Sequence, residues 1–384
     1  MVKKILVFIF LFMLIPMGYV KADELNLAEN AKSAIIIEAS SGKILWEKNA
    51  HEKLAPASMT KIMSMLLIME NIESGNLSWD EKITASLNAS SMGGSQIFLE
   101  PGEKMTVKDL LKGIAIGSGN DATVAMAERI AGTESKFVEM MNNKAKELGL
   151  KNTNFKDSTG LDAENHYSSA YDMAIMAKEL IKHEKILEFT STYEDYLRQD
   201  TGNSFWLVNT NKLVRYYQGV DGLKTGFTNT AGYCLTATAK RGDMRLITVV
   251  MNEPSSEIRS KETSSMLDYG FNTYEINKVL TKDSVVGNVK VSLGTKKSVD
   301  IVPIGDIDIL RSKIGDKKDI TYKVTANNVK APIKKGEDVG DVIVYEDGKE
   351  IMKTDVTVIN DVNKVNIFVA YLRNIINIIS GKVF

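Results

Sequence analysis

Apolar and polar residues follow two different periods along the chain, and these periods predict where strands and helices lie. Residues 33–50 hold two apolar runs separated by the turn-forming residues 40–42, a pattern typical of a β-hairpin. Strand patterns return over residues 233–239 and 244–251. Strands at both ends of a helical middle indicate one α/β unit whose sheet is assembled from the two ends. Apolar positions three or four residues apart predict helices over 107–116, 121–130, 134–148, 169–183 and 257–271.

After residue 274 the pattern changes to short alternating runs that are typical of strands. The residues 346–349, Glu-Asp-Gly-Lys, favour a tight hairpin turn. We therefore predict a small all-β domain over residues 275–360, which holds no histidine, no cysteine and no carboxylate cluster of catalytic type. We expect this domain to be a spacer or an interaction module. The alternating apolar residues are Val289, Val291, Leu293, Ile320, Tyr322, Val324, Val342, Val344, Val356 and Val358.

The last segment, residues 361–384, has the pattern of an amphipathic helix. Arg373 and several asparagines interrupt its apolar character, so we expect the helix to lie in the interface of a membrane and not to cross it. The alternative is that the helix packs on the β domain of its own chain. Its apolar stripe consists of Val365, Phe368, Tyr371, Leu372, Ile375, Ile376 and Ile379.

The N-terminus predicts export. Lys3 and Lys4 precede an apolar run over residues 5–15, and a small residue, Ala22, ends the segment, so residues 1–22 are predicted to be a signal peptide. An uncleaved membrane anchor is the alternative, although the run is shorter than the about 20 residues that span a bilayer. In both cases we expect the body of the protein outside the cytoplasm, attached to the outer face of the cell membrane by its C-terminal helix.

Composition excludes several classes of function. The chain has 384 residues, enough for more than one domain, and its 48 basic and 49 acidic residues argue against a nucleic-acid-binding protein. The single cysteine, Cys234, cannot form an internal disulfide, and its strand pattern predicts a small buried residue. His51, His166 and His183 lie in polar surroundings without a motif, so we expect neither a thiol catalyst nor a metal site. No cofactor is implied.

Two polar residues, Ser58 and Lys61, begin a strongly apolar helix. They follow Pro56 and stand three positions apart, so they share one helical face. Because the helix is apolar nearly all round, we expect it to be buried, and burial lowers the pKa of a lysine toward the range in which the amine acts as a base. The alternative is that Lys61 extends to solvent. The same spacing occurs at Ser40 and Lys43, but a turn would not align those side chains.

Two further short motifs follow this pair along the chain. Each motif is weak alone, but the three in this order resemble the signature of the serine penicillin-recognising enzymes. The motifs are Ser118-Gly119-Asn120, in front of the helix predicted from residue 121, and Lys224-Thr225-Gly226.

The chemistry of such an enzyme explains these residue types. Ser58 is the expected nucleophile, and neutral Lys61 is placed to take its proton. Ser118 can relay a proton to the leaving amine, and Asn120 can hold the substrate amide. The positive charge of Lys224 helps to keep Lys61 deprotonated.

Longer stretches are similar to one family in this group, the D-alanyl-D-alanine carboxypeptidases or low-molecular-mass penicillin-binding proteins. The similar segments are APASMTKIM, NTNKLV and GVDGLKTGFTNTAGYCLTATAKRGDMRLITVVM. The resemblance implies a β-lactamase/transpeptidase-like α/β domain over residues 23–274, with an antiparallel sheet, helices on both of its sides and a helical subdomain. The all-β domain and the amphipathic helix follow in the family order.

The resemblance also implies the substrate and further site residues. The expected substrate is a peptidoglycan stem peptide that ends in D-Ala-D-Ala, and β-lactams are expected to acylate the same serine. Thr225 and Gly226 belong to the substrate-binding strand, and the backbone N–H groups of Ser58 and Phe227 are the candidate oxyanion donors. Arg259 stands where the family binds the terminal carboxylate, which suits a guanidinium.

One departure and two competing functions accompany this resemblance. Many family members carry a histidine where this chain has Thr159, in front of Gly160, so we expect slower turnover of the acyl-enzyme. A β-lactamase would need a Glu-x-x-Leu-Asn run to position water, and the sequence has none. The other alternative is a catalytically weak, penicillin-binding scaffold of the envelope, against which the three complete motifs argue.

Overall fold

The structure, a computed structural model, describes residues 25–199, 202–315 and 318–379. The predicted signal peptide, residues 1–22, lies outside the described residues.

The strands and helices are numbered in chain order, and a 3-10 turn, Ala57–Thr60, directly precedes the first helix. The strands are β1 (Ser33–Glu38), β2 (Ile44–Lys48), β3 (Lys82–Thr84), β4 (Lys104–Thr106), β5 (Glu194–Leu197), β6 (Phe205–Val208), β7 (Val220–Thr228), β8 (Gly232–Arg241), β9 (Met244–Glu253), β10 (Tyr274–Leu280), β11 (Gly287–Ser292), β12 (Ser298–Pro303), β13 (Ile307–Ser312), β14 (Ile320–Ala326), β15 (Val329–Lys330), β16 (Asp338–Glu346) and β17 (Lys349–Val358). The helices are α1 (Lys61–Glu73), α2 (Leu87–Ser90), α3 (Val107–Ala115), α4 (Asn120–Ala131), α5 (Glu134–Glu147), α6 (Ala170–Leu180), α7 (Ile186–Thr190), α8 (Leu213–Tyr216), α9 (Ser256–Thr273) and α10 (Ile367–Ile379).

The central sheet has five antiparallel strands in the order β2-β1-β9-β8-β7. The hairpin predicted over residues 33–50 forms β1 and β2, and the three other strands come from residues 220–253. The sheet is therefore assembled from both ends of the α/β unit, as the sequence predicts. Strand β7, which carries the Lys-Thr-Gly motif, is an edge strand, so one side of it is open to a ligand.

Helices cover both faces of this sheet. Along β1, Ile35 and Ile37 face one hydrophobic cluster, whereas Ala34 and Ile36 face another, because successive side chains of a strand point to opposite faces. Helices α1 and α6 pack on the first face, and α9 packs on the second. The predicted arrangement, an antiparallel sheet with helices on both sides, is confirmed.

The predicted helices between the strands are present, with ends within a few residues of the expected ones. Several begin where a hydroxyl accepts a hydrogen bond from the backbone N–H three residues later, which satisfies one of the free donors of the first turn. Thr106, Thr133, Ser169 and Ser255 are such caps, at the starts of α3, α5, α6 and α9. Cys234 is fully buried in β8, as predicted, and burial raises the pKa of its thiol to about 12.

A second, all-β part follows directly after α9. A six-stranded sheet in the order β14-β16-β17-β12-β11-β15 encloses its own hydrophobic cluster, and β10 pairs with β13 beside it. The hairpin turn predicted at residues 346–349 joins β16 to β17, and Asp347 and Gly348 take the left-handed backbone that such a turn requires.

The structure describes residues 361–379 of the C-terminal segment, of which helix α10 takes Ile367–Ile379; residues 380–384 lie outside the described residues. The apolar side chains Phe368, Tyr371, Leu372 and Ile376 of this helix are more than half exposed, so they do not pack on the β domain. In the described ranges, no helix has the length and apolar character to cross a bilayer.

Candidate active site

Ser58 lies in the 3-10 turn that leads into α1. The sequence places both motif residues on one helix, but only Lys61 belongs to α1, as its first residue. Residues three apart are nevertheless neighbours, because side chains eclipse at this spacing in a 3-10 turn. The Nζ atom of Lys61 lies 2.9 Å from Oγ of the partly exposed Ser58.

Lys61 is completely buried, which excludes the alternative that it extends to solvent. Its amine contacts Oδ1 of Asn120 at 2.7 Å and the backbone carbonyl of Thr159 at 2.7 Å, in addition to Ser58. Burial lowers the pKa of Lys61 well below its usual range, and the nearby charge of Lys224 lowers it further. The surroundings therefore favour a neutral amine.

The Ser-Gly-Asn motif forms the start of α4. Asn120 is the first residue of this helix, and its Nδ2 donates to the carbonyl of Gly93 at 2.7 Å, so both ends of its amide are engaged. Ser118 is buried in a left-handed conformation with φ of 63°, and its Oγ has no partner among the described residues. A buried hydroxyl without a partner is rare, which indicates that Ser118 is free to bond a ligand or water.

The Lys-Thr-Gly motif brings β7 against the turn that carries Ser58. A Cβ atom on Gly226 would lie 2.6 Å from the carbonyl oxygen of Pro56, so only glycine permits this approach. Lys224 is buried and donates to the carbonyl of Thr225 at 2.9 Å. Burial, together with the charge of Arg259, lowers the pKa of Lys224 to about 7.

Phe227 and Arg259 lie at the periphery of this group. The side chain of Phe227 is half exposed, and its ring centroid is 4.4 Å from that of Tyr233 on the next strand. Arg259 is buried in α9, close enough for its charge to act on Lys224, and its Nε has no partner among the described residues. It is therefore a buried donor available to an anion.

The loop over residues 157–161, which the sequence analysis considered only at Thr159, contributes backbone contacts to the site that the sequence did not predict. It supplies the Thr159 carbonyl to Lys61, and Gly160, with φ of 89°, passes so close to the serine turn that an added Cβ would lie 1.8 Å from the carbonyl oxygen of Ala57. His166 is buried, and its ring contacts the polar groups of Thr60 and Asp157 next to the site, a position that the sequence did not predict. No local sequence pattern reveals the contact between His166 and Thr60, because the two residues lie far apart in sequence.

The second Ser-x-x-Lys pair has no such setting. The hydroxyl of Ser40 donates to the carboxylate of Glu38, and this contact stabilises the turn between β1 and β2. Lys43 is exposed. Among the residues that the structure describes, no cluster of histidine, cysteine and carboxylate side chains could hold a metal ion.

Comparison with protein families identifies the chain. Residues 20–255 match the D-alanyl-D-alanine carboxypeptidase family of peptidases S11, and residues 274–364 match the C-terminal domain of penicillin-binding protein 5. The chain belongs to the D-alanyl-D-alanine carboxypeptidase family. It is 50% identical over 377 residues to the D-alanyl-D-alanine carboxypeptidase DacF of Bacillus subtilis, with 97% of each chain covered.

Solved structures agree with this assignment. Penicillin-binding protein 5 of Haemophilus influenzae superposes with a TM-score of 0.72 at 34% identity, covering 87% of this chain and 98% of its own. Penicillin-binding protein D2 of Listeria monocytogenes, solved in an ampicillin-bound form, superposes with a TM-score of 0.56 at 34% identity, covering 64% of this chain and 100% of its own. The predicted family, the two-part penicillin-binding protein fold and the carboxypeptidase class of activity are confirmed.

Proposed function

We propose that this carboxypeptidase removes the terminal D-alanine from peptidoglycan stem pentapeptides through an acyl-enzyme on Ser58. The observation that carries the proposal is the pattern of contacts around the amine of Lys61. A neutral amine has two N–H donors and one lone pair, and its neighbours are two oxygen acceptors, from Asn120 and Thr159, and one hydroxyl, from Ser58. In the neutral amine that the lowered pKa favours, these two acceptors use both donors, which leaves the lone pair to accept the proton that must leave Ser58.

Acylation begins when Lys61 takes this proton and Oγ of Ser58 attacks the carbonyl carbon of the penultimate D-alanine. The negative charge that develops on the carbonyl oxygen needs two fixed donors, for which we propose the backbone N–H groups of Ser58 and Phe227. Asn120, with one amide hydrogen left, would hold the substrate amide, and Thr225 and Gly226 would line the edge strand beside it.

Departure of D-alanine requires a proton on its nitrogen as the C–N bond breaks. The unpartnered hydroxyl of Ser118 is suited to pass the proton from Lys61 to this amine. The Nε–H of Arg259 and the positive charge of Lys224 would stabilise binding of the terminal carboxylate of the peptide. Water then hydrolyses the ester, with Lys61 again accepting a proton.

The same serine is proposed to react with β-lactams, whose ring amide stands in for the peptide bond. Slow hydrolysis of that ester follows from the absence of a Glu-x-x-Leu-Asn run in the sequence, and Thr159 in place of a histidine is expected to slow deacylation further. These features favour a carboxypeptidase over a β-lactamase, and the buried neutral lysine favours it over an inert scaffold.

The location of the enzyme is part of the proposal. Residues 1–22 would direct export, residues 23–274 would form the peptidase domain and residues 275–360 the β domain. The segment 361–384 would attach the protein to the outer face of the cell membrane. The exposed apolar residues of α10, which lies in this segment, support that attachment.

Two measurements on the purified enzyme test the chemistry. The wild type should release free D-alanine from a pentapeptide that ends in D-Ala-D-Ala and should be labelled covalently by fluorescent penicillin. Ser58→Ala should do neither, whereas Ser40→Ala, which removes the serine of the other motif, should do both. Labelling that survives in Ser58→Ala would remove Ser58 from its role.

A further inference from the structure

A chain of polar contacts through the buried side chain of His166 connects the serine-bearing turn to the loop over residues 157–161. Nε2 of His166 lies 2.9 Å from Oγ1 of Thr60, and Nδ1 of His166 lies 3.1 Å from Oδ2 of Asp157. Thr60 and His166 are both buried, and Thr60 directly precedes Lys61. Neither contact involves a group that touches the substrate in the proposed reaction.

Both ring nitrogens of His166 take part in this link. Nδ1 lies 3.1 Å from Oδ2 of Asp157, which has no partner with hydrogen-bond geometry among the described residues, and 3.3 Å from the backbone nitrogen of Lys156. A ring protonated at Nδ1 donates to Asp157 and accepts from the hydroxyl of Thr60, whereas a ring protonated at Nε2 accepts from the N–H of Lys156 and donates to Thr60. In both tautomers the imidazole connects the segment 156–157 to Thr60.

Asp157 in turn organises the loop. Its Oδ1 accepts hydrogen bonds from the backbone N–H groups of Thr159 at 2.7 Å, Gly160 at 2.6 Å and Leu161 at 3.3 Å, and from the hydroxyl of Thr159 at 2.8 Å. The hydrogen bond from His166 and these donors hold the pKa of Asp157 well below its usual range, so the carboxylate stays ionised. The carbonyl of Thr159, at the centre of this turn, is the one that accepts from Lys61.

We propose that His166 is a positioning residue for Lys61, because it ties the loop that carries the Thr159 carbonyl to the turn that carries Ser58. This inference rests on the proposed role of Lys61 as the base. The link has two ends: the imidazole holds Asp157 on one side and Thr60 on the other. A side chain that can reach only one of them would release the loop from the turn.

Release of the loop has a defined chemical consequence. Burial is the largest influence on the pKa of Lys61 and lowers it. The charge of Lys224 lowers this pKa further, whereas the charges of Asp157 and Asp121 raise it. Water admitted by a loosened loop would relieve that burial and raise the pKa of Lys61. The amine would then be protonated over more of the pH range, and one of its two fixed acceptors would be displaced.

The test is acylation by fluorescent penicillin at saturating concentration, measured as a function of pH on wild type, His166→Gln and Thr60→Val. The glutamine can reach Thr60 but not Asp157, and the valine keeps the shape of Thr60 without its hydroxyl. We expect the acid limb of the rate profile to move up by about one pH unit, so that the rate on that limb falls about tenfold. The penicillin concentration at half-saturation should change little.

A matched control is His183→Gln, because His183 also contacts a carboxylate, that of Glu73 at 2.8 Å, but lies outside the site. Its profile should equal that of the wild type. Unchanged acid limbs in both His166→Gln and Thr60→Val, with thermal unfolding showing folded protein, would overturn the positioning role. Failure of penicillin to acylate the wild type would instead overturn the proposed function, so the two failures are distinguishable.

Discussion

At the scale of single residues, the proposed site depends on a lysine whose surroundings disfavour its positive charge. Desolvation is the dominant cause, and the two hydrogen-bond acceptors of Lys61 are both neutral groups. The adjacent Lys224 contributes through its charge, although burial lowers its own pKa to about 7. In the proposed mechanism the two lysines have different roles: Lys61 accepts a proton, and Lys224 contributes positive potential.

The first prediction concerns the protonation of Lys61. A base whose pKa is lowered on folding is active above that pKa, so acylation should rise with pH as Lys61 loses its proton and should fall as pH decreases. Lys61→Arg keeps a cation that does not deprotonate, so it should lower acylation by about 10²–10⁴-fold at every pH. The measurement is the rate of penicillin labelling as a function of pH. A Lys61→Arg variant whose rates lie close to those of the wild type and follow the same pH dependence would contradict the assignment of Lys61 as the base.

The second prediction concerns Arg259, whose buried Nε has no partner among the described residues. Arg259→Ala should raise KM for peptides with a free terminal carboxylate by about ten- to a hundredfold, the scale of a charge-assisted hydrogen bond. The same peptide with an amidated terminus lacks the carboxylate and serves as the control. Equal losses on the two peptides would reject Arg259 as the carboxylate ligand.

At the scale of secondary structure elements, the apolar pattern predicted the long helices and the strands β1, β2, β8 and β9, because each carries a periodic or continuous run of apolar residues. It did not predict β7, in which Gly222 and Gly226 interrupt the apolar pattern, or the short strands β3 to β6. The three motifs identified the side chains around Ser58. They could not identify the Thr159 carbonyl, because a backbone group carries no sequence signal, or His166, whose contacts depend on the tertiary fold.

The third prediction tests how closely the loop over residues 157–161 must approach the serine turn. Gly160→Ala places a Cβ 1.8 Å from the carbonyl oxygen of Ala57 in a left-handed conformation, so the loop must move away. We expect loss of penicillin labelling and a lower Tm. Gly132→Ala is the matched control: its φ is 81° but its Cβ would meet nothing within 4 Å, so only about 1–2 kcal/mol of backbone strain is added.

Labelling kinetics on folded protein distinguish the two glycine variants. Gly132→Ala should lower Tm and leave the acylation rate of the folded fraction unchanged. Gly160→Ala should lower that rate as well. If both variants acylate as fast as the wild type, the contact between the loop and the turn is not needed for the chemistry.

At the scale of the whole molecule, the β domain connects the peptidase domain to the C-terminal helix along the chain. Helix α9 continues directly into β10, and the backbone at Val362 and Val365 is hydrogen-bonded to the β domain just before α10 begins. In sequence, the β domain therefore lies between the candidate active site and the helix proposed to bind the membrane. We propose that it acts as a spacer between the membrane and the peptidase domain.

The last prediction follows from this order of the parts along the chain. Phe368→Glu with Leu372→Glu places two charges on the exposed apolar stripe of α10, so the full chain should lose sedimentation with lipid vesicles. Release of D-alanine from a soluble pentapeptide should stay at the wild-type rate, because the substitutions lie outside the peptidase domain. Asn360→Glu with Asn363→Glu adds the same charge at exposed positions before the helix and should leave vesicle binding largely intact. If the control variant loses vesicle binding to the same extent, net charge and not the apolar stripe governs attachment. If the stripe variant still sediments with the vesicles, α10 is not the membrane anchor.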